Sequence, residues 1–270
     1  MTRRKYLFPN VIEMNLAAGR PLGVNVYLID GGTEYVLIDV GEEKVLDDLI
    51  DLIRAMDFPL SKCKLLIATH ADVDHVQALA SARERLKAKT AAHPAAAALI
   101  ESGELVQTYA RISAQGVDEP LPPCKIDKKL KDGDLLKVGS LQLEVMHTPG
   151  HTAGQLSFRL GNLLFSGDNI YRDGGVGVID AHHGSNLPDY IKSLTKLRDS
   201  GAEFLLPSHG PPFRLDKELL QAAIDRLTRY QYMSDFGTCA IGWPLQQEWE
   251  RDILAGKMPT FDGEEKPGRG

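Results

Sequence analysis

The 270-residue sequence has no apolar run near the roughly 20 residues that a helix needs to cross a bilayer, so no membrane partner is expected. Cysteine is scarce. Cys63, Cys124 and Cys239 are an odd number, far apart and without a CxxC pair. They read as reduced thiols of a cytoplasmic protein, not as a disulfide frame. The opening MTRRKYLFPNVIEMN is basic, but the apolar segment of a secretory signal does not follow it. Positive charge is the minority sign, 31 Lys and Arg against 37 Asp and Glu, and no basic run interleaves with aromatics. Nucleic acid is therefore not an expected partner. GxSxG is absent and no cysteine lies in a histidine-rich motif, which disfavours a covalent serine or cysteine nucleophile.

What is present is an alternation of short strands and helices. FPNVIEMNL, GVNVYLID and EYVLIDV read as strands, with Gly31-Gly32 as the hairpin turn between the last two. EKVLDDLIDLIRAM places Val45, Leu46, Leu49, Ile50 and Ile53 on one helical face. KLLIA (64–68) predicts a buried strand, VDHVQALASARERLK one helix, KTAAH a strand, and PAAAALIES a helix opened by Pro94. Residues 103–133 break this rhythm and read as a helix-containing insertion or lid. Strands then recur around LLKVG, LQLEVMHTP, QLSFRL and NLLFSGD, followed by a helix at about 188–197 and the strand EFLLPSHG. A last helix is predicted over about 216–232. Strands followed by helix in each half suggest two similar halves packed sheet against sheet. The tail FDGEEKPGRG is expected to be disordered.

Chemistry concentrates where predicted strands end. ATHADVDHVQ (68–77), starting on the last residue of KLLIA, holds two histidines and two aspartates. His147 and His151 stand in HTPGHT, Asp168 in LLFSGDN and His209 in LLPSHG. Imidazole and carboxylate together are ligands for Zn²⁺, Fe²⁺ or Mn²⁺. In an extended turn His70 and Asp72 point the same way, while Asp74 and His75 open a helix and can face a second ion. Taken alone, Asp72 or Asp74 fits an ordinary helix N-cap. Four such clusters at strand ends fit a metal centre better.

HADVDH (70–75), HTPGHT, SGD and PSHGPP resemble the successive motifs of the metallo-β-lactamase-fold hydrolases, in the branch of glyoxalase II and similar thioesterases and lactonases. The resemblance covers about residues 8–215. It implies an α+β fold, a four-layer αβ/βα sandwich of two similar halves, with the catalytic domain at 1–232 and a C-terminal extension at 233–270. It implies two divalent metal ions. His70, Asp72 and His151 would hold the first, Asp74, His75 and His209 the second, and Asp168 would bridge them. The chain departs from the usual H-x-H-x-D-H by placing Asp72 at the second histidine. That carboxylate tilts a site expected to take zinc toward iron or manganese, and a site it left half-built would give a mononuclear enzyme. Flavodiiron proteins of the same fold carry a comparable acid substitution.

Two ions sharing a water lower its pKa enough to give hydroxide at neutral pH. The expected reaction is hydrolysis of a small ester, thioester, lactone or β-lactam, with Asp74 orienting the water as well as binding metal. The alternatives are a non-haem iron oxidoreductase resembling persulfide dioxygenases and a phosphodiesterase. The basic glutathione-binding segment of glyoxalase II is not evident. Around the ligands, Thr69, Thr148 and Thr152 are candidates to orient imidazoles. His147, Tyr171, Arg172 and His183 are candidates to support the ligands or face substrate, with His182 beside them, and His93 reads as structural. Tyr109 and Arg111 sit in the 103–133 lid. The aromatic stretch with Tyr230, Tyr232, Phe236, Trp243 and Trp249 suggests a homodimer contact or edge packing, with lining of the pocket as the alternative.

Overall fold

The structure is a computed structural model that describes residues 6–15, 23–232, 251–252 and 254–256. The first half supplies β1 (Val11–Asn15), β2 (Asn25–Asp30), β3 (Tyr35–Ile38), α1 (Leu46–Ala55), β4 (Cys63–Ile67), α2 (Val73–Val76), α3 (Leu79–Leu86), β5 (Lys89–Ala92) and α4 (Pro94–Ser102). Then come the two-residue strands β6 (Arg111–Ile112), β7 (Val117–Asp118) and β8 (Lys128–Lys129). The second half supplies β9 (Leu135–Val138), β10 (Leu141–His147), β11 (Leu156–Leu160), β12 (Leu163–Gly167), α5 (Leu187–Arg198), β13 (Phe204–Pro207), β14 (Phe213–Arg214) and α6 (Lys217–Tyr230).

Two six-stranded sheets result, ordered β1-β2-β3-β4-β5-β8 and β14-β13-β12-β11-β10-β9. In the first, the antiparallel strands β1–β3 give way to parallel pairings of β3 with β4, β4 with β5 and β5 with β8; in the second, β12 with β13 is the parallel pair. All six residues of β2 and all four of β3 are buried, because their sheet is covered on both faces. Tyr27, Ile29, Val36 and Ile38 meet Val145, Phe158, Phe165 and Leu206 between the sheets. Outside the first sheet α1 buries Leu46, Leu49, Ile50 and Ile53, the i, i+3, i+4, i+7 stripe read from the sequence. Outside the second, α6 buries Leu220, Ala223, Ile224 and Leu227 next to α5. Each such leucine or isoleucine contributes about 1.5–3 kcal/mol on burial. The outcome is the four-layer αβ/βα sandwich.

Two expectations need correction. The single helix over VDHVQALASARERLK is broken into α2 and α3, because Gln77 and Ala78 bond outward: Gln77 Oε1 accepts from Glu43 N, and Ala78 N donates to the Gly41 carbonyl. The 103–133 segment is not helix-containing beyond one three-residue 3₁₀ turn, Ser113–Gln115. It is the hairpin β6–β7 followed by β8, which extends the first sheet at β5. Among the described residues no helix is long and apolar enough to cross a membrane. Phe236, Trp243, Trp249 and the tail 261–270 lie outside the described residues.

Candidate metal centre

Every strand that carries chemistry ends at the same edge of the sandwich. β4 ends before His70, β10 before His151, β12 before Asp168 and β13 before His209, so loops from both sheets converge. Three sets of ligand atoms each fall within 4.8 Å of one another: His70, Asp72 and His151; Asp74, His75 and His209; and His70, His75 and Asp168. Asp72 Oδ2 lies 3.4 Å from His70 Nε2 and 3.1 Å from His151 Nε2. Asp74 Oδ2 lies 3.6 Å from His75 Nε2 and 3.5 Å from His209 Nε2. Asp168 stands between the sets, with Oδ1 3.7 Å from His75 Nε2 and Oδ2 3.3 Å from His209 Nε2 and 3.9 Å from His151 Nε2. All seven residues taken from the sequence as ligands are thus brought together.

The backbone explains their aim. Asp72 occupies the N-cap position of α2 in extended conformation, but its side chain caps no backbone N–H and turns into the cluster instead. The Gly177 Cα packs against His151: a Cβ there would come within 2.6 Å of the Asp168 carbonyl and 2.9 Å of His151 Nδ1. Only glycine lets this loop cross behind the imidazole. His151 Nδ1 then lies 2.8 Å from the Val178 carbonyl, and His209 Nδ1 lies 3.2 Å from that of Gly23. Each of these two rings so directs Nε2 to the centre.

Asp39 was not anticipated. It follows β3 in left-handed conformation, φ 58°, and is fully buried. Its carboxylate accepts from Thr69 N (2.8 Å) and Thr69 Oγ1 (2.9 Å) and sits 3.0 Å from His75 Nδ1. The signal was available, since Asp39 ends an apolar strand as the ligands do. Thr69 Oγ1 also lies 2.9 Å from His70 Nδ1, as expected of it. Thr148 does not hold an imidazole: its hydroxyl pairs with Ser157 Oγ and accepts from Asn169 Nδ2. His147 turns away to stack on His93 at 4.0 Å and 8°, and its Nε2 sits by the Ala153 carbonyl. His93 caps α4 by accepting from Ala95 N. Tyr171 lies edge-on to His209 at 5.9 Å, while Arg172 is exposed in an adjoining shallow pocket and His182 pairs with Asp180.

The donor set fits divalent cations. His70 Nε2, His75 Nε2 and Asp168 Oδ1 are buried without a hydrogen-bond partner among the described groups, an arrangement that is costly unless an ion satisfies it. Electrostatics agree. Burial alone would raise the Asp72 and Asp168 carboxyls, yet the surrounding imidazoles hold both well below the usual range. Asp74 is raised by burial. Burial opposes charge on His75 and His151, but the facing carboxylates lift both, His151 to about 9. The cluster attracts positive charge.

The cleft above it has a volume of about 480 Å³ and is lined from the 103–133 segment by Tyr109, just before β6, and by Ile112 and Val117 of the β6–β7 hairpin. Arg111 faces away from it, paired with Asp118 across the hairpin at 2.8 Å.

The model of the metallo-beta-lactamase superfamily matches residues 19–209. The chain belongs to that superfamily. It is 31% identical over 240 residues to an acyl-coenzyme A thioesterase MBLAC2 of Gallus gallus, covering 80% of this chain and 83% of that protein. It is 28% identical over 239 residues to the Homo sapiens protein of the same name, covering 80% of each. Among solved structures, TTHA1623 in a di-iron-bound form is 32% identical, with TM-score 0.62 over 77% of this chain and 96% of that one. The superfamily accounts for the sandwich and for donor groups at its edge.

Proposed function

We propose that this chain is a dinuclear metal-dependent hydrolase acting on a thioester or related carbonyl ester with an apolar acyl part. The observation that carries the reading is the convergence of two His/Asp triads on one carboxylate between them, Asp168. His70, Asp72 and His151 would hold the first ion, and Asp74, His75 and His209 the second. Bound divalent ions supply an acidified water and Lewis acidity toward a carbonyl oxygen. Asp74 is less buried than Asp72 and borders the cleft, so its second oxygen can accept a hydrogen bond from water and fix its direction of attack. Tyr171 stays protonated, because burial and then Asp168, which accepts its hydrogen bond, push its phenol well above the usual value.

Cleft chemistry supports the substrate class. Ile112, Val117, Val73 and Val178 give it an apolar wall. Glu42, Glu119 and the ligand carboxylates outnumber Lys44 among the lining groups, which disfavours a polyanion in the cleft and with it nucleic acid or a phosphodiester. The phosphates of a coenzyme A carrier would then stay outside while the acyl group enters. Lactones and β-lactams satisfy the same geometry. Zinc is the first choice of metal, with iron or manganese favoured by Asp72.

A second reading, iron-dependent oxidation, has Asp72 and the di-iron likeness in its favour. The complete Asp74, His75, His209 set supports hydrolysis instead. Elemental analysis of freshly purified protein, followed by acyl thioesters, lactones, β-lactams and phosphodiesters on that metal form, tests both. Thioester or ester turnover dependent on two equivalents of metal is expected. Turnover that survives metal removal sinks the proposal.

A further inference from the structure

The ligand triads leave one buried histidine beside them unused. His183 lies in the turn Ala181–His183, is 3% exposed, and has neither ring nitrogen in a hydrogen bond among the described groups. Its Nε2 is 2.9 Å from Asp72 Oδ1. The separation is that of a hydrogen bond. On its other side the His183 ring stacks on Tyr109, centroids 3.7 Å apart and planes 27° from parallel. Tyr109 is held there by a left-handed backbone, φ 56°, unusual for a residue with a ring.

The two oxygens of Asp72 therefore have different neighbours. Oδ2 faces His70 and His151, while Oδ1 faces His183. A carboxylate has a broad terminal torsion and two equivalent oxygens, so left alone it can present either to a cation. We propose that His183 is a positioning residue for the metal site: it donates Nε2–H to Asp72 Oδ1, leaves Oδ2 as the single ligating oxygen, and is itself clamped by Tyr109. This rests on the metal-site reading above. It also gives the lid a route to the centre, since Tyr109 belongs to the segment that lines the cleft. His183 acts on substrate only through Asp72 and is not a catalytic residue.

The test is titration of the chelator-treated full chain with Co²⁺ alone, following d–d absorption and competition with a chelator of known affinity. The wild type should bind two ions. His183→Ala should weaken one site by about 10–100-fold and leave the other unchanged. His183→Gln, which restores an N–H donor, should recover most of the loss. Tyr109→Phe should bind as the wild type, and Tyr109→Ala should weaken the same site that His183→Ala does. Equal affinities in His183→Ala and wild type, or no recovery in His183→Gln relative to Ala, overturn the proposal while leaving the metal reading intact. A wild type that takes up no Co²⁺ removes both. Far-UV circular dichroism separates loss of fold from loss of a ligand, and the Tyr109 pair decides the question if the His183 variants do not fold.

Discussion

His75 Nδ1 sits 3.0 Å from Asp39 Oδ2, with both side chains fully enclosed. The contact fixes which nitrogen of His75 faces the cluster, because a carboxylate accepts only from a protonated nitrogen and leaves Nε2 as the free lone pair. Asp39→Asn would set an amide where that acceptor stands. It should lower affinity for one ion about 10–100-fold, measured by chelator competition, with the fold retained.

Asp168 touches groups from both triads. Asp168→Ala should reduce metal content at both sites and abolish turnover, whereas His151→Ala should deplete the first site and leave the second filled. Elemental analysis beside initial rates reads both. Full activity in metal-stripped Asp168→Ala would end the hydrolase proposal.

Asp72→His restores the usual motif. Imidazole is a softer ligand than carboxylate, so the variant should carry more zinc relative to iron than the wild type when both are grown in one medium. An unchanged ratio would show that Asp72 does not set metal choice.

Ile112 and Val117 line the cleft from the lid. If the acyl chain lies against them, each buried methylene adds about 0.8 kcal/mol, about fourfold in kcat/KM. A thioester series of increasing acyl length should show that slope, and Val117→Asp should flatten it. A flat wild-type series would place the acyl group elsewhere.

Burial, with the His147 ring beside it, lowers His93 from 6.5 to about 4. The folded protein therefore takes up this proton less readily than the unfolded chain. The resulting stability is present above about pH 6.5 and is lost as the pH falls toward 4. His93→Asn keeps an N-cap without the titration, so its urea midpoint should fall less than that of the wild type between pH 7 and 4.5. Parallel losses would refute the assignment.

The gathering of these side chains was legible because the histidines and aspartates concerned end strongly apolar strands. His70 after LLIAT, Asp168 after LLFSG and His209 after LLPS can be placed without knowing how the sheets pack. What escaped depended on distant partners. Asp39 sits among similar strand-end acids, and only its bonds to Thr69 and its approach to His75 reveal its role. The break between α2 and α3 is written in Gln77 and Ala78 reaching Glu43 and Gly41, not in local helix propensity. Strands of two residues such as β6, β7 and β8 have too short a pattern to read. His147 shares a motif with His151, yet the two diverge because β10 runs through His147 and ends there.

Asp72, Asp74 and His75 hang from the first sheet, and His151, Asp168 and His209 from the second, so any ions they hold are rivets across the seam between the halves. Metal starvation would then cost the cell more than turnover. Protein lacking its rivets would part along that seam more often, meet proteases sooner, and decline in abundance.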